Sequence, residues 1–377
     1  TDFMHGLTSS SALIGCIIGS SLSGLFAMRL GRKNSLVFAG ICFFISAWGS
    51  MFPESCILAS GKPSLNLLVV FNLYRVLGGI GVGMASAICP MYIGEVAPSN
   101  IRGMLVSWNQ FAIIFGQLVV YFVNFIILGG HSNPIYNAAG AIANMADAQW
   151  TITTGWRYMF GSECIPAALF TIFICFVPET PRYLVMIKQD KKALDVLTRI
   201  NGTEKAIEIL SDIKNTISVK KEKLFSYGFM CIFIGIMLSV FQQAVGINAV
   251  LYYAPRIFQD MGMENPMVQT VIMGIVNISF TLVAVFTVEK LGRKPLLIWG
   301  SIGMAIGALG VAITFGNPSL NILTMVSIMI YSASFMFSWG PICWVLIAEI
   351  FPNTIRGTAV AIAVAFQWIF NFIVSST

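Results

Sequence analysis

Apolar residues run through this chain in long blocks, broken by short polar joints. Residues 6–28, 35–53, 76–94, 103–130, 224–255, 265–288, 295–348 and 357–377 contain no Asp, Glu, Lys or Arg. A hydrocarbon core needs roughly 20 apolar residues per crossing helix, so several blocks span by themselves and 295–348 is long enough for two. The pattern predicts ten helices, at about 6–28, 35–53, 65–93, 103–129, 158–177, 226–254, 266–288, 295–315, 320–347 and 357–377. Helix is the natural choice because lipid offers the backbone no hydrogen-bond partner. One polar segment, about 179–225, interrupts the series after five spans, and five follow it. Its apolar residues (Ala193, Leu194, Val196, Leu197 and Ile200, then Ile207, Ile209, Leu210, Ile213 and Ile217) fall at helical spacing, which predicts amphipathic helices. A second loop, 130–157, is rich in Asn, Ala and Gly, and no function follows from it.

Composition sharpens the picture. Of 377 residues 57% are hydrophobic and 10% charged, whereas a soluble domain is about a quarter charged. A soluble globule and a disordered tail are both excluded. The basic residues orient the spans. With the loop near residue 30 in the cytoplasm, 18 of the 22 Lys and Arg fall on that side; Lys62, Arg157 and Arg256 fall opposite, and Arg75 lies inside a span. Both chain ends then face outward. Two His cannot build a histidine metal site, so no metal or other cofactor is expected. The eight Cys include no C-x-x-C pair and read as small buried hydrophobes. Gly78-Gly79-Ile80-Gly81-Val82-Gly83 has neither a following Walker lysine nor a preceding strand, which argues against phosphate binding. No metal-protease or nucleophile-elbow motif occurs, and the chain is not expected to be an enzyme or to bind nucleic acid. The glycine pairs Gly15/Gly19, Gly79/Gly83 and Gly303/Gly307 have the spacing that lets helices approach closely.

The chain repeats itself. Residues 95–103 read E-V-A-P-S-N-I-R-G and residues 349–357 read E-I-F-P-N-T-I-R-G; residues 29–33 read R-L-G-R-K and residues 290–294 read K-L-G-R-K. The offsets, 254 and 261, nearly coincide. A duplicated membrane domain with parallel halves is the architecture of transporters that rock two bundles around a central site. The expected divisions are an N-terminal bundle at 1–178, a cytoplasmic helical linker at 179–225 and a C-terminal bundle at 226–377.

These motifs, with P-E-T-P-R at 178–182, Q-Q-x-x-G-x-N-x-x-x-Y-Y at 242–253 and G-P-x-x-W at 340–344, resemble those of the sugar porter family of the major facilitator superfamily, over essentially the whole chain. Segments 107–121, 237–255 and 338–357 look most like bacterial D-xylose–proton symporters. The resemblance implies an all-α polytopic protein with two six-helix bundles, of which ten helices are visible here and the family's first and last are missing. It implies a monomer in the plasma (inner) membrane. The family's first helix carries a proton-accepting Asp, and no residue here stands in for it.

A sugar presents hydroxyls that donate and accept, and apolar C–H faces. Neutral amides serve the first through one side chain, and an aromatic platform serves the second. Gln242, Gln243 and Asn248 cluster in one span around Gly246, with Pro255 expected to close it; Gln110 and Gln117, seven residues apart, share a face. Interhelical hydrogen bonding is the bland reading of any one such amide. The resemblance implies sugar contact for Gln110, Gln242, Gln243, Asn248, Trp344 and Gln367, with Gln117, Asn277 and Trp368 behind them and Tyr252 in an outer gate. Two ionisable groups at membrane depth, Arg75 and Glu163, are expected to face a cavity or each other and are candidates for proton coupling. The duplicated loops place Arg29, Arg32, Glu95 and Arg102 opposite Glu289, Arg293, Glu349 and Arg356, which suggests a cytoplasmic latch between the bundles. The function expected is proton-coupled transport of a monosaccharide such as D-xylose, the alternatives being an uncoupled hexose or pentose facilitator and a non-transporting sugar sensor.

Overall fold

A computed structural model describes residues 2–55, 65–98, 101–129, 145–218, 229–261, 266–351 and 355–376. Among them every regular element is helical. The first half holds α1 (Asp2–Arg29), α2 (Arg32–Met51), α3 (Leu65–Val96), α4 (Arg102–Leu128), α5 (Met145–Trp150), α6 (Trp156–Gly161) and α7 (Cys164–Phe176). The linker holds α8 (Pro181–Met186), α9 (Asp190–Asn201) and α10 (Thr203–Ser218). The second half holds α11 (Phe229–Ala244), α12 (Ile247–Tyr252), α13 (Ala254–Asp260), α14 (Pro266–Leu291), α15 (Arg293–Thr314), α16 (Asn321–Phe337), α17 (Trp339–Ile350) and α18 (Arg356–Ser376). Ten segments among the described residues are long and apolar enough to cross a membrane: α1, α2, α3, α4, α5–α7, α11–α13, α14, α15, α16–α17 and α18.

Two expectations need correction. Residues 145–157, assigned by sequence to an outward loop, are helical through a π turn at Thr151–Gly155, and the fifth span begins at Ala148; residues 130–144 lie outside the described residues. Its short polar stretch hid this start, because Thr and Gln interrupt an apolar count without breaking a helix. Pro255 does not close its span either. It occupies the first turn of α13, where proline's missing N–H is no loss, and the span continues to Asp260.

The repeat has a structural counterpart. Gly31 and Gly292, at equivalent places in the two R/K-L-G-R-K motifs, precede α2 and α15 with φ 88°, ψ 170° and φ 81°, ψ 170°. That region of φ is open to glycine and strained for other residues, so each motif fixes the same turn. Across the molecule α1 packs on α18 and α4 packs on α14. Exchanging each helix for its repeat partner turns one contact into the other, so the halves are related by a pseudo-twofold axis.

Within the first half, α1 and α3 meet backbone to backbone. A Cβ at Gly15 would collide with the carbonyl of Val76, one at Gly79 with that of Ala12, and one at Gly83 with that of Cys16. In the linker, Thr180 caps α8 by accepting the Tyr183 N–H at 3.4 Å, with Pro181 at the first helical position. Leu184, Val185, Ala193 and Val196 then form a small core with Ile200, Leu210 and Ile213, and Lys214 ties α10 to Asp190 of α9 at 2.6 Å.

Candidate functional site

Two broken spans bring the predicted amides together. Gly246 takes a left-handed conformation (φ 83°, ψ 11°) between α11 and α12, which leaves Gln242 and Gln243 at the end of one helix and Asn248 at the start of the next. The break between α16 and α17 lies at Ser338 (φ −129°, ψ −87°), just before Gly340-Pro341. Gln242 Nε2 donates into this break, to the Trp339 and Gly340 carbonyls at 3.2 and 3.3 Å. Its Oε1 accepts from Gln367 Nε2 of α18 and from Gln243 Nε2 at 3.4 Å, while Asn248 Nδ2 donates to Gln243 Oε1 at 2.6 Å. Gln110 reaches in from α4, its Nε2 3.4 Å from the place a Cβ on Gly340 would take.

Gln110, Gln242, Gln243 and Gln367 are only 3–7% exposed. Buried amides carry a heavy penalty unless bonded, and Gln242, Gln243 and Gln367 bond to one another in a chain. Gln367 Oε1 is buried with no partner among the described residues. A ligand rich in hydroxyls can replace each amide–amide bond with an equivalent one, which is what a reversible sugar site requires.

The remaining predicted residues bond elsewhere. Trp344, one helical turn beyond Gly340 on α17, belongs to a buried cluster with Ala87 and Ile347 and lines a cavity of about 220 Å³. Trp368 Nε1 donates to Ser86 Oγ of α3 at 3.1 Å, crossing between the halves. Asn277, 1% exposed, accepts from Ser332 Oγ at 2.7 Å and joins α14 to α16. Gln117 Nε2 donates to the Tyr121 hydroxyl at 2.7 Å. Tyr252 is half-exposed and its hydroxyl accepts from Asn371 Nδ2 at 3.4 Å. Asn371 was missed by sequence, although it stands one turn after Gln367 on α18.

Arg75 and Glu163 act on each other electrostatically without closing to an ion pair among the described residues. The Arg75 guanidinium lies over the Phe160 ring, 5.5 Å from its centroid, and its Nε is buried without a partner.

At the face expected to be cytoplasmic, the ion pairs described for the latch residues lie within each half. Arg32 pairs with Glu95 at 2.7 Å inside the first half; Arg293 pairs with Glu349 at 2.8 Å and with Glu289 at 3.3 Å inside the second. The bundle-to-bundle contact is steric: a Cβ at Gly103 of α4 would strike Glu289 Oε1 and come within 3.1 Å of Arg293 Nη2. The ion pairs therefore shape each corner, and small residues let the corners meet. The 220 Å³ cavity lies between them, lined by Glu95, Arg102, Trp344 and Glu349. Arg29 contributes its carbonyl, which accepts from the Tyr183 hydroxyl at 3.0 Å, and Arg102 donates to the Ala97 carbonyl at 3.5 Å. The Arg356 side chain lies outside the described ones. Glu179 was not singled out by sequence, yet its carboxylate accepts the backbone N–H groups of Arg32 and Lys33 and caps α2 from a distance. Burial pushes its carboxyl above the ordinary range, opposed by those N–H groups and by Arg32.

Paired, pseudo-symmetric bundles with an amide cluster between two helix breaks define a secondary transporter. The family model described as "Sugar (and other) transporter" matches residues 1–377, and the chain belongs to that family. It is 47% identical over 384 aligned residues to the D-xylose-proton symporter of Escherichia coli K12, covering 99% of this chain and 75% of the relative. It is 35% identical to the glucose facilitated diffusion protein of Zymomonas mobilis, covering 99% and 76%. A solved major facilitator superfamily proton:xylose symporter bound to 6-bromo-6-deoxy-D-glucose superposes with a TM-score of 0.86 at 45% identity, covering 99% of this chain and 78% of that one. The chain is thus a multi-pass membrane sugar transporter and not an enzyme.

Proposed function

We propose that this protein carries D-xylose together with a proton across the plasma membrane by alternating access. Residues 1–178 and 226–377 rock as two bundles joined by the 179–225 linker, the whole acting as a monomer. The observation that carries the proposal is the convergence of Gln110, Gln242, Gln243, Asn248 and Gln367, from four helices of both halves, beside two helix breaks. In this reading those amides hold the sugar hydroxyls and Trp344 supplies a platform for the C–H face. Gln117, Asn277 and Trp368 support them from behind, and Tyr252 belongs to the outer gate. The 47% identity to a D-xylose-proton symporter, against 35% to a glucose facilitator, favours the pentose and the proton.

For the coupling, protonation of a carboxylate near a buried arginine changes what the arginine holds, and only an interaction that differs between states shifts their balance. Arg75 and Glu163 are the described groups placed for this. Uptake of labelled D-xylose into proteoliposomes, with and without an imposed proton gradient, tests the proposal. Accumulation above equilibrium only with the gradient supports symport. Equilibration regardless of the gradient leaves a facilitator, and absence of uptake overturns the xylose assignment. Arg75→Leu is expected to abolish accumulation while sparing sugar exchange; unchanged accumulation removes Arg75 from the coupling.

A further inference from the structure

The short helix α12 is held from both bundles, and one of its anchors has a use. Leu251, near its end, would give its carbonyl to the N–H of residue 255 in a continuous helix, but residue 255 is proline and has none. The orphaned carbonyl instead accepts from the Tyr121 hydroxyl at 3.0 Å. Tyr121 stands on α4, in the opposite bundle. A tyrosine hydroxyl has one hydrogen, and Gln117 Nε2 donates to the Tyr121 oxygen at 2.7 Å, which leaves that hydrogen for Leu251. The ring is seated by Gly274 of α14, where an added Cβ would come within 3.4 Å of Tyr121 Cδ2. At the other end of α12 the Tyr331 hydroxyl donates to the Val245 carbonyl, but Tyr331 is in the same bundle.

The two anchors differ in consequence. The Tyr331 bond travels with its own bundle, whereas the Tyr121 bond exists only while α12 lies against α4. An interaction present in one state alone shifts the balance between states. We propose that Tyr121 is a positioning residue for transport: a strut that holds α12 closed over the site from the far bundle, with Gln117 aligning its hydroxyl. Because α12 also carries Asn248 and Tyr252, closing the strut sets a sugar contact and the gate together. The proposal rests on the alternating-access reading above.

Tyr121→Phe keeps the ring and removes only the hydroxyl. Loss of a bond of about 1 kcal/mol predicts roughly five- to tenfold faster hydrogen exchange at the amides of 247–253 without sugar, and a similar rise in apparent KM for D-xylose with the maximal rate largely kept. Gln117→Leu, which removes the alignment, is expected to raise KM in the wild type but to add little to Tyr121→Phe. Unchanged exchange and unchanged KM in Tyr121→Phe overturn the strut, as does full additivity of the two variants, which makes Gln117 an independent sugar ligand. Exchange is read without substrate, so faster exchange in a protein that takes up no D-xylose upholds the strut and sinks only the substrate assignment.

Discussion

At the scale of single residues, the most informative side chains are those that answer a backbone group left over by an interrupted helix. Tyr121 answers Leu251, Tyr331 answers Val245, and Gln242 donates into the α16–α17 break. Glu179 does the same for the first N–H groups of α2, whose preceding residue, Gly31, has no side chain to cap them. A capping acceptor is worth about 1 kcal/mol, and a carboxylate at a helix N-terminus gains further from the helix dipole. Glu179→Ala is therefore expected to lower the stability of the detergent-solubilised protein by about 1–2 kcal/mol in thermal unfolding, with sugar affinity little changed. None of these partnerships follows from sequence spacing, because each joins residues 86 to 147 positions apart. The amides were legible for the opposite reason: Gln and Asn in apolar runs conflict with lipid, and the conflict marks them.

At the scale of elements, the spans were visible in the charge-free blocks, and their ends were not. The π turn at Thr151–Gly155 and the continuation past Pro255 depend on neighbours that satisfy an irregular backbone. The glycine pairs were readable as close-packing signals, and α1 against α3 bears this out, with Gly15, Gly79 and Gly83 each facing a carbonyl of the other helix. A side chain there must push two backbones apart, and overpacking a dense contact costs about 1–3 kcal/mol or more. Gly83→Leu should reduce the folded yield in size-exclusion chromatography sharply. Gly116 of α4, with nothing within 4 Å of an added Cβ, should accept alanine with no loss.

At the scale of the whole molecule, the two halves meet closely at two places. Gly103 of α4 sits against Glu289 and Arg293, and Gly24 of α1 sits 3.4 Å, by its added Cβ, from the Gly357 carbonyl of α18. These two places are related by the pseudo-twofold exchange. The partly exposed Arg293 ion pairs beside Gly103 are each worth about 0–1 kcal/mol, so bulk at that contact should matter more than charge. Gly103→Leu is expected to favour the inward-facing state, seen as a longer distance between spin labels on the cytoplasmic ends of α4 and α14, with slower uptake. An unchanged distance distribution would show that the corner closes by other contacts.

The sequence by itself determined the number of spans and the duplication, and it marked the amides that cluster, because each rests on a local rule. Lipid disfavours charge, a repeated motif repeats its turn, and buried amides need partners. The tertiary structure alone decided which amides bond to which, which partners the described charged corners take, and which side chains complete the broken helices. Those outcomes depend on distances of about 3 Å between residues far apart in the chain, and a spacing rule carries no information about such distances.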